Sequence, residues 1–151
     1  MVVRPQYKYY LEFWLRTEPQ RLKEWSRGNG ITPSSAWQLL RIDTIPAAEL
    51  ESSLLYQAYI RYAKMHDDKL FRRYNKGKPI QSILPAYNKK IRYPEQMDDM
   101  VRLWVAERRP ARYVQKVLDL RLSQEKDPAF QYWQKYIDQI VDQALKEVRA
   151  S

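Results

Sequence analysis

Apolar residues recur at steps of three and four positions along most of the chain, the spacing that places side chains on one face of an α-helix. The pattern is clearest near the carboxyl end, where Asp127-Pro128 is typical of a helix start. The helix that follows is expected to bury one stripe: Phe130, Trp133, Ile137, Ile140, Ala144 and Val148. No stretch alternates for long enough to predict a strand, and no hairpin turn signal occurs. The sequence therefore predicts an all-α fold, a bundle of about seven to nine helices.

Prolines fall where these helices should begin. Apolar stripes follow Pro33, Pro46, Pro94 and Pro110, and proline is well tolerated at the first position of a helix. Pro19 is the exception, because it lies within an apolar pattern and predicts a break in the first helix.

The chain contains an internal repeat. In each copy a Trp is followed by a loop, a proline, a short apolar helix and then three aromatic residues spaced three apart. The copies begin at Trp25 and Trp104 and end at Tyr62 and Tyr136. Large rings can join helices that a small bundle cannot otherwise hold together. We therefore expect Trp25 to stack on Tyr62, and Trp104 on Tyr136, as the structural core.

This pattern resembles the WY domain of RXLR effectors, which oomycete plant pathogens secrete. Trp25 and Trp104 match the family's Trp, and Tyr62 and Tyr136 match its Tyr. The segments 37–42 and 114–120 match its short apolar helix.

Two tandem WY-type modules are then expected, sharing one continuous helical body. The first would span residues 5–66, and the linking helices with the second module would span 67–151.

The resemblance also implies a function. Such effectors enter the host cell, reach its cytoplasm or nucleus, and suppress immunity by binding a host plant protein. A signal peptide and an Arg-x-Leu-Arg motif would be expected upstream of this sequence. No enzymatic activity and no cofactor are implied.

Charge adds a candidate binding site. The net charge is +9, and basic surfaces favour acidic partners. No acidic residue interrupts a basic run between positions 69 and 92. The run consists of Lys69, Arg72, Arg73, Lys76, Lys78, Lys89, Lys90 and Arg92. It indicates a face for an acidic host protein. Nucleic acid, anionic lipid and a merely solvated surface remain alternatives.

The remaining chemistry is sparse. The chain lacks cysteine, which excludes disulfides and thiolate metal sites. Its single histidine, His66, precedes two aspartates and is expected at a polar helix end rather than in a metal or catalytic site. Basic residues also cluster after Trp104, where a solvated loop is the favoured interpretation: Arg108, Arg109 and Arg112. No apolar run is long enough to predict a membrane span. We thus expect no catalytic residues and no bound metal.

Overall fold

The computed structural model describes residues 5–28, 30–84, 91–120 and 127–150, with the backbone alone described at 5–11 and 15. Within these ranges the chain forms six α-helices and two short 3₁₀ helices, with no β-strand. The α-helices are α1 (Pro5–Trp25), α2 (Pro33–Leu39), α3 (Leu54–Asn75), α4 (Pro94–Ala106), α5 (Ala111–Val117) and α6 (Phe130–Ala150). The 3₁₀ helices, Ile42–Thr44 and Ala47–Glu49, lie between α2 and α3. The all-α prediction is confirmed for the described residues.

Proline positions set several helix starts, as expected. Of the prolines expected at helix starts, Pro33 and Pro94 are the first residues of α2 and α4, and Pro110 directly precedes α5. The stripe expected after Pro46 belongs to α3, which begins only at Leu54, after a short 3₁₀ helix. Before α2, the Oγ1 atom of Thr32 accepts a hydrogen bond of 3.1 Å from the amide of Ser35. The break expected near Pro19 is wrong, because α1 runs through that residue. A proline removes one backbone donor, and a helix of this length can continue past that loss with a local bend.

The chain divides into two compact units, Met1–Asp68 and Lys69–Ser151, so that the division falls within α3. The core of the first unit is rich in aromatic residues and includes Trp14, Trp37, Leu40, Leu55, Tyr59 and Tyr62. The core of the second unit includes Met97, Met100, Val101, Trp104, Tyr113, Leu118, Tyr132 and Tyr136. Each unit thus has its own set of fully buried large side chains, which is what an independently packed core requires.

In the first unit, Tyr62 on α3 contacts the end of α1. The rings of Trp25 and Tyr62 meet edge to face, with centroids 5.5 Å apart and planes at 88°, rather than stacking. The single O–H of Tyr62 is shared between two acceptors, the carbonyl oxygens of Trp25 (2.9 Å) and Ile31 (2.7 Å). The Ile31 amide also donates to the Trp25 carbonyl (2.9 Å). Burial raises the pKa of Tyr62 to about 12, so the hydroxyl remains a donor at neutral pH.

In the second unit, Tyr136 on α6 contacts the loop after α4 in the same way. Its hydroxyl donates to the carbonyl of Arg109, whose amide donates to the Trp104 carbonyl (3.0 Å). Trp104 is completely buried and Tyr136 is almost so. The stacking expected of these two rings stays a prediction. The recurring feature is a tyrosine hydroxyl bound to the main chain of the loop after the tryptophan.

Matching backbone turns frame the short helices α2 and α5. The residue before the bound carbonyl has a positive φ in both units, at Gly30 (74°) and Arg108 (54°). The second residue after the short helix also has a positive φ, at Arg41 (58°) and Asp119 (51°). Three of these four residues are not glycine, and each such residue costs about 1–2 kcal/mol of backbone strain. The similarity between the two copies therefore extends to backbone conformation.

The buried face of α6 differs from the one expected. The buried residues are Tyr132 and Tyr136, on the side that packs against α4, whereas Val148 is 70% exposed. α6 also begins later than expected, because the Asp127 carboxylate accepts from the Ala129 amide (2.9 Å) in a turn before the helix. Two apolar faces compete on this helix, and the two tyrosines define the one that is buried.

Candidate binding face

The basic run expected from the sequence is divided between several places in the second unit. The last turns of α3 carry Lys69, Arg72 and Arg73. Lys76 lies in the turn immediately after the helix, and Lys78 follows two residues later. Arg92 lies on the turn before α4. The remaining members, Lys89 and Lys90, lie outside the described residues. The run is therefore not a single surface, and only its α3 part forms a continuous cluster.

Two α3 residues and the residue that follows the helix form one ridge. Lys69, Arg72 and Lys76 are spaced three and four apart, and the Lys76 amide donates to the Arg72 carbonyl (3.2 Å). This bond continues the helical turn as far as Lys76, so the three residues share a face. Arg72 and Lys76 are exposed and Lys69 is half-buried. Leu70, almost fully buried, belongs to the opposite face. We call Lys69, Arg72 and Lys76 the basic ridge.

Arg73 has a different role. Its guanidinium donates to the carbonyl of Pro79 through Nε (3.2 Å) and a terminal nitrogen (2.9 Å). Gly77, with φ of 70°, ends the helix, while the amide of Lys78 donates to the Arg73 carbonyl (3.0 Å). These bonds fix the chain immediately after α3. Arg73 thus positions the loop beside the basic ridge and does not belong to the ridge.

The loop is also bound to the end of α5. The Ser82 hydroxyl (2.8 Å) and the Ile83 amide (3.0 Å) both donate to the carbonyl of Val117. Nearby on α5, the Lys116 ammonium lies 5.5 Å from the centre of the Tyr74 ring. Lys116 lies far from the basic run in sequence, so the run gave no indication of it. Tyr74 and Lys116 lie on different helices, so the spacing of residues within one helix could not predict their contact.

The second basic cluster is not a solvated loop throughout. Arg109 is buried, and its guanidinium carbon lies 4.3 Å from the centre of the Phe71 ring. Arg108 forms an ion pair of 2.8 Å with Glu147 of α6. Arg108 and Arg112 are both exposed, the latter on α5. The expectation was wrong for Arg109, because stacking on an aromatic ring compensates for burying a guanidinium.

His66 is not at a helix end. It lies inside α3, almost fully buried, with its ring 6.1 Å from that of Tyr62. Its neighbour Asp67 is buried as well. The expectation failed because α3 continues for two more turns, to Asn75. His66 thus belongs to the core of the first unit.

Two further surveys of the described residues gave no site. No group of three or more His, Cys, Asp or Glu side chains in the described ranges is arranged to hold a metal ion. Among the helices described above, none is long and apolar enough to cross a membrane. No protein-family model matches the chain, and no curated protein and no solved structure matches it significantly.

Proposed function

We propose that this chain is a non-catalytic binding protein: a secreted virulence effector that enters a plant cell, binds a host protein and suppresses immunity. In this proposal the chain contains two tandem WY-type modules that share one helical body. The recurring Trp, loop, short helix and Tyr support this assignment. So do the equivalent hydroxyl–carbonyl bonds of Tyr62 and Tyr136.

The observation that carries the binding role is the basic ridge. Arg72 is exposed on α3 and Lys76 is exposed on the turn that ends it, and the basic run continues without an acidic residue as far as Arg92. Positive side chains held on a helix present a fixed charge pattern, which accelerates association with an acidic partner and selects for it. The ridge would therefore contact an acidic surface of the host protein.

The test is affinity capture from plant leaf extract, followed by mass spectrometry. Three proteins are compared: the wild type, the ridge variant Arg72→Glu/Lys76→Glu, and a control, Arg16→Glu/Arg27→Glu. The control changes the net charge equally at two exposed positions of the first unit. We expect the wild type and the control to retain a host protein that the ridge variant loses. Equal retention by all three would exclude the ridge as the contact.

A nucleic-acid-binding function is the second candidate, favoured by the net charge of +9. Three ridge residues bound to phosphates would give a slope of about −2.7 in log affinity against log salt. The measurement is fluorescence anisotropy with random-sequence duplex DNA and single-stranded RNA. Under the effector proposal we expect no binding at a physiological ionic strength of about 0.15 M. Tight binding with that slope, abolished by Arg72→Glu/Lys76→Glu, would favour the second candidate.

A further inference from the structure

The carboxyl-terminal half of α6 has an exposed apolar face. Val141 is 52% exposed, Leu145 49% and Val148 70%. Steps of four and three residues place these side chains on one side of the helix. The same periodicity places them opposite Tyr132 and Tyr136, the residues that pack toward the core. The face is therefore separate from the core contact of α6.

Charged residues flank this face, with acidic residues beside its first part and basic residues beside its last part. Asp138 and Asp142 flank its first part, and Lys146 and Arg149 flank its last part. Helical spacing puts all four on the same side of the apolar face. In an antiparallel pair of helices, the flank of one helix faces the same flank of the other. An acidic start would then meet a basic end at both ends of the contact.

We propose that this face binds a second copy of the chain, with the two α6 helices antiparallel and their twofold axis near residues 143 and 144. Asp138 of each copy would then lie opposite Arg149 of the other, and Val141 opposite Leu145. The charge order is self-complementary only in this orientation, because in a parallel pair the charged flank of each helix would face the opposite flank of the other, which does not carry these four charges. This inference does not depend on the proposed effector function.

The contact is short, because residues 137–149 span about 20 Å of helix. A surface of this size is at the lower end for specific interfaces, so the dimer should be weak. We expect association between about 10 µM and 1 mM. Sedimentation velocity over that range measures it directly. A chain that stays monomeric throughout would overturn the proposal.

Two leucine variants test the apolar part. Leu145→Asp should raise the dissociation constant at least about tenfold. Leu54→Asp is the control, since Leu54 is an exposed leucine of similar exposure (42%) in the first unit. Both changes affect exposed side chains, so neither should prevent folding, and circular dichroism verifies this. Equal association by both variants would also contradict the proposal.

A charge exchange tests the orientation. Asp138→Lys and Arg149→Glu should each weaken self-association, because each creates like charges across the antiparallel contact. Mixing the two variants should restore association through a heterodimer. In one contact of this heterodimer, the introduced lysine of one chain faces the introduced glutamate of the other. The second contact keeps its original Asp–Arg pair. Residues 138 and 149 are about 16 Å apart along one helix, so recovery on mixing cannot arise within a chain. Absence of recovery would exclude the antiparallel arrangement.

Discussion

The hydroxyl of Tyr62 donates to the carbonyl of Trp25, and the ring of the same tyrosine meets the Trp25 ring edge to face at 5.5 Å. A second carbonyl, that of Ile31, accepts from the same hydroxyl at 2.7 Å. One side chain of α3 thereby joins the end of α1 to the loop that follows it. The fold of the first unit should be sensitive to the loss of this single oxygen atom.

Tyr62→Phe should lower the free energy of unfolding by about 1–2 kcal/mol, because the Ile31 carbonyl loses this donor while the ring remains. The Trp25 carbonyl keeps the Ile31 amide as a donor. Urea denaturation followed by circular dichroism measures the change. Tyr74→Phe is the control, since its hydroxyl forms no hydrogen bond with any described residue and its ring contacts should persist. Equal stability of both variants would show that the hydroxyl bonds contribute nothing.

Alkaline pH should weaken the fold through the same hydroxyl. A tyrosine in the unfolded chain ionises near pH 10, whereas burial raises the pKa of Tyr62 to about 12. The stabilising effect of this difference is complete below pH 10 and is lost as the pH rises from 10 to 12. Burial also raises the pKa of Tyr136, which acts in the same direction. The melting temperature should fall over this range, and less steeply for Tyr62→Phe than for the wild type; identical slopes would contradict the assignment.

Two glycines with positive φ should differ in their sensitivity to alanine. A Cβ added at Gly77 would meet nothing within 4 Å, so Gly77→Ala should cost only the backbone strain of about 1 kcal/mol. A Cβ at Gly30 would lie 3.3 Å from both the Trp25 carbonyl and the Tyr62 hydroxyl. Gly30→Ala should therefore cost more, because it disturbs the hydrogen bonds as well. Thermal unfolding measures the loss of stability in each variant. A larger loss for Gly77→Ala than for Gly30→Ala would contradict this prediction.

Trp104→Ala should cost about 3–5 kcal/mol, because its indole is completely buried in the second unit. Trp25 is only half-buried, so Trp25→Ala should cost less. Differential scanning calorimetry compares the two variants with the wild type. A melting temperature unchanged by Trp104→Ala would refute a core role for this residue.

Local chemistry explains what could be predicted from the sequence. Prolines mark the first turns of α2 and α4, because proline lacks only a donor that is unpaired there. The positions of Trp25 and Tyr62 also indicated their contact, because bulky rings in a small bundle are usually buried together.

Long-range packing explains what could not be predicted. α6 has two apolar faces, and periodicity cannot tell which one packs on α4 because a tyrosine is suited to both core and surface. Arg109 was expected to be solvated, but it is in contact with Phe71, which lies far away in the sequence on α3. Arg73 was counted with the binding residues, yet its bonds are to the main chain at Pro79. In each case the partner is either remote in sequence or a main-chain group. The residue types along the sequence therefore do not reveal the contact.

The tyrosine hydroxyls of both units bind main-chain oxygen atoms, those of Ile31 and Arg109. Every residue type carries the same carbonyl, so the bond sets no requirement on the side chain at either position. An aliphatic residue and a cationic one already occupy these equivalent places. The hydroxyl bond itself therefore tolerates different side chains at residues 31 and 109. Sequence variation in these loops is limited instead by other contacts, such as the turn at Gly30 and the contact of Arg109 with the Phe71 ring.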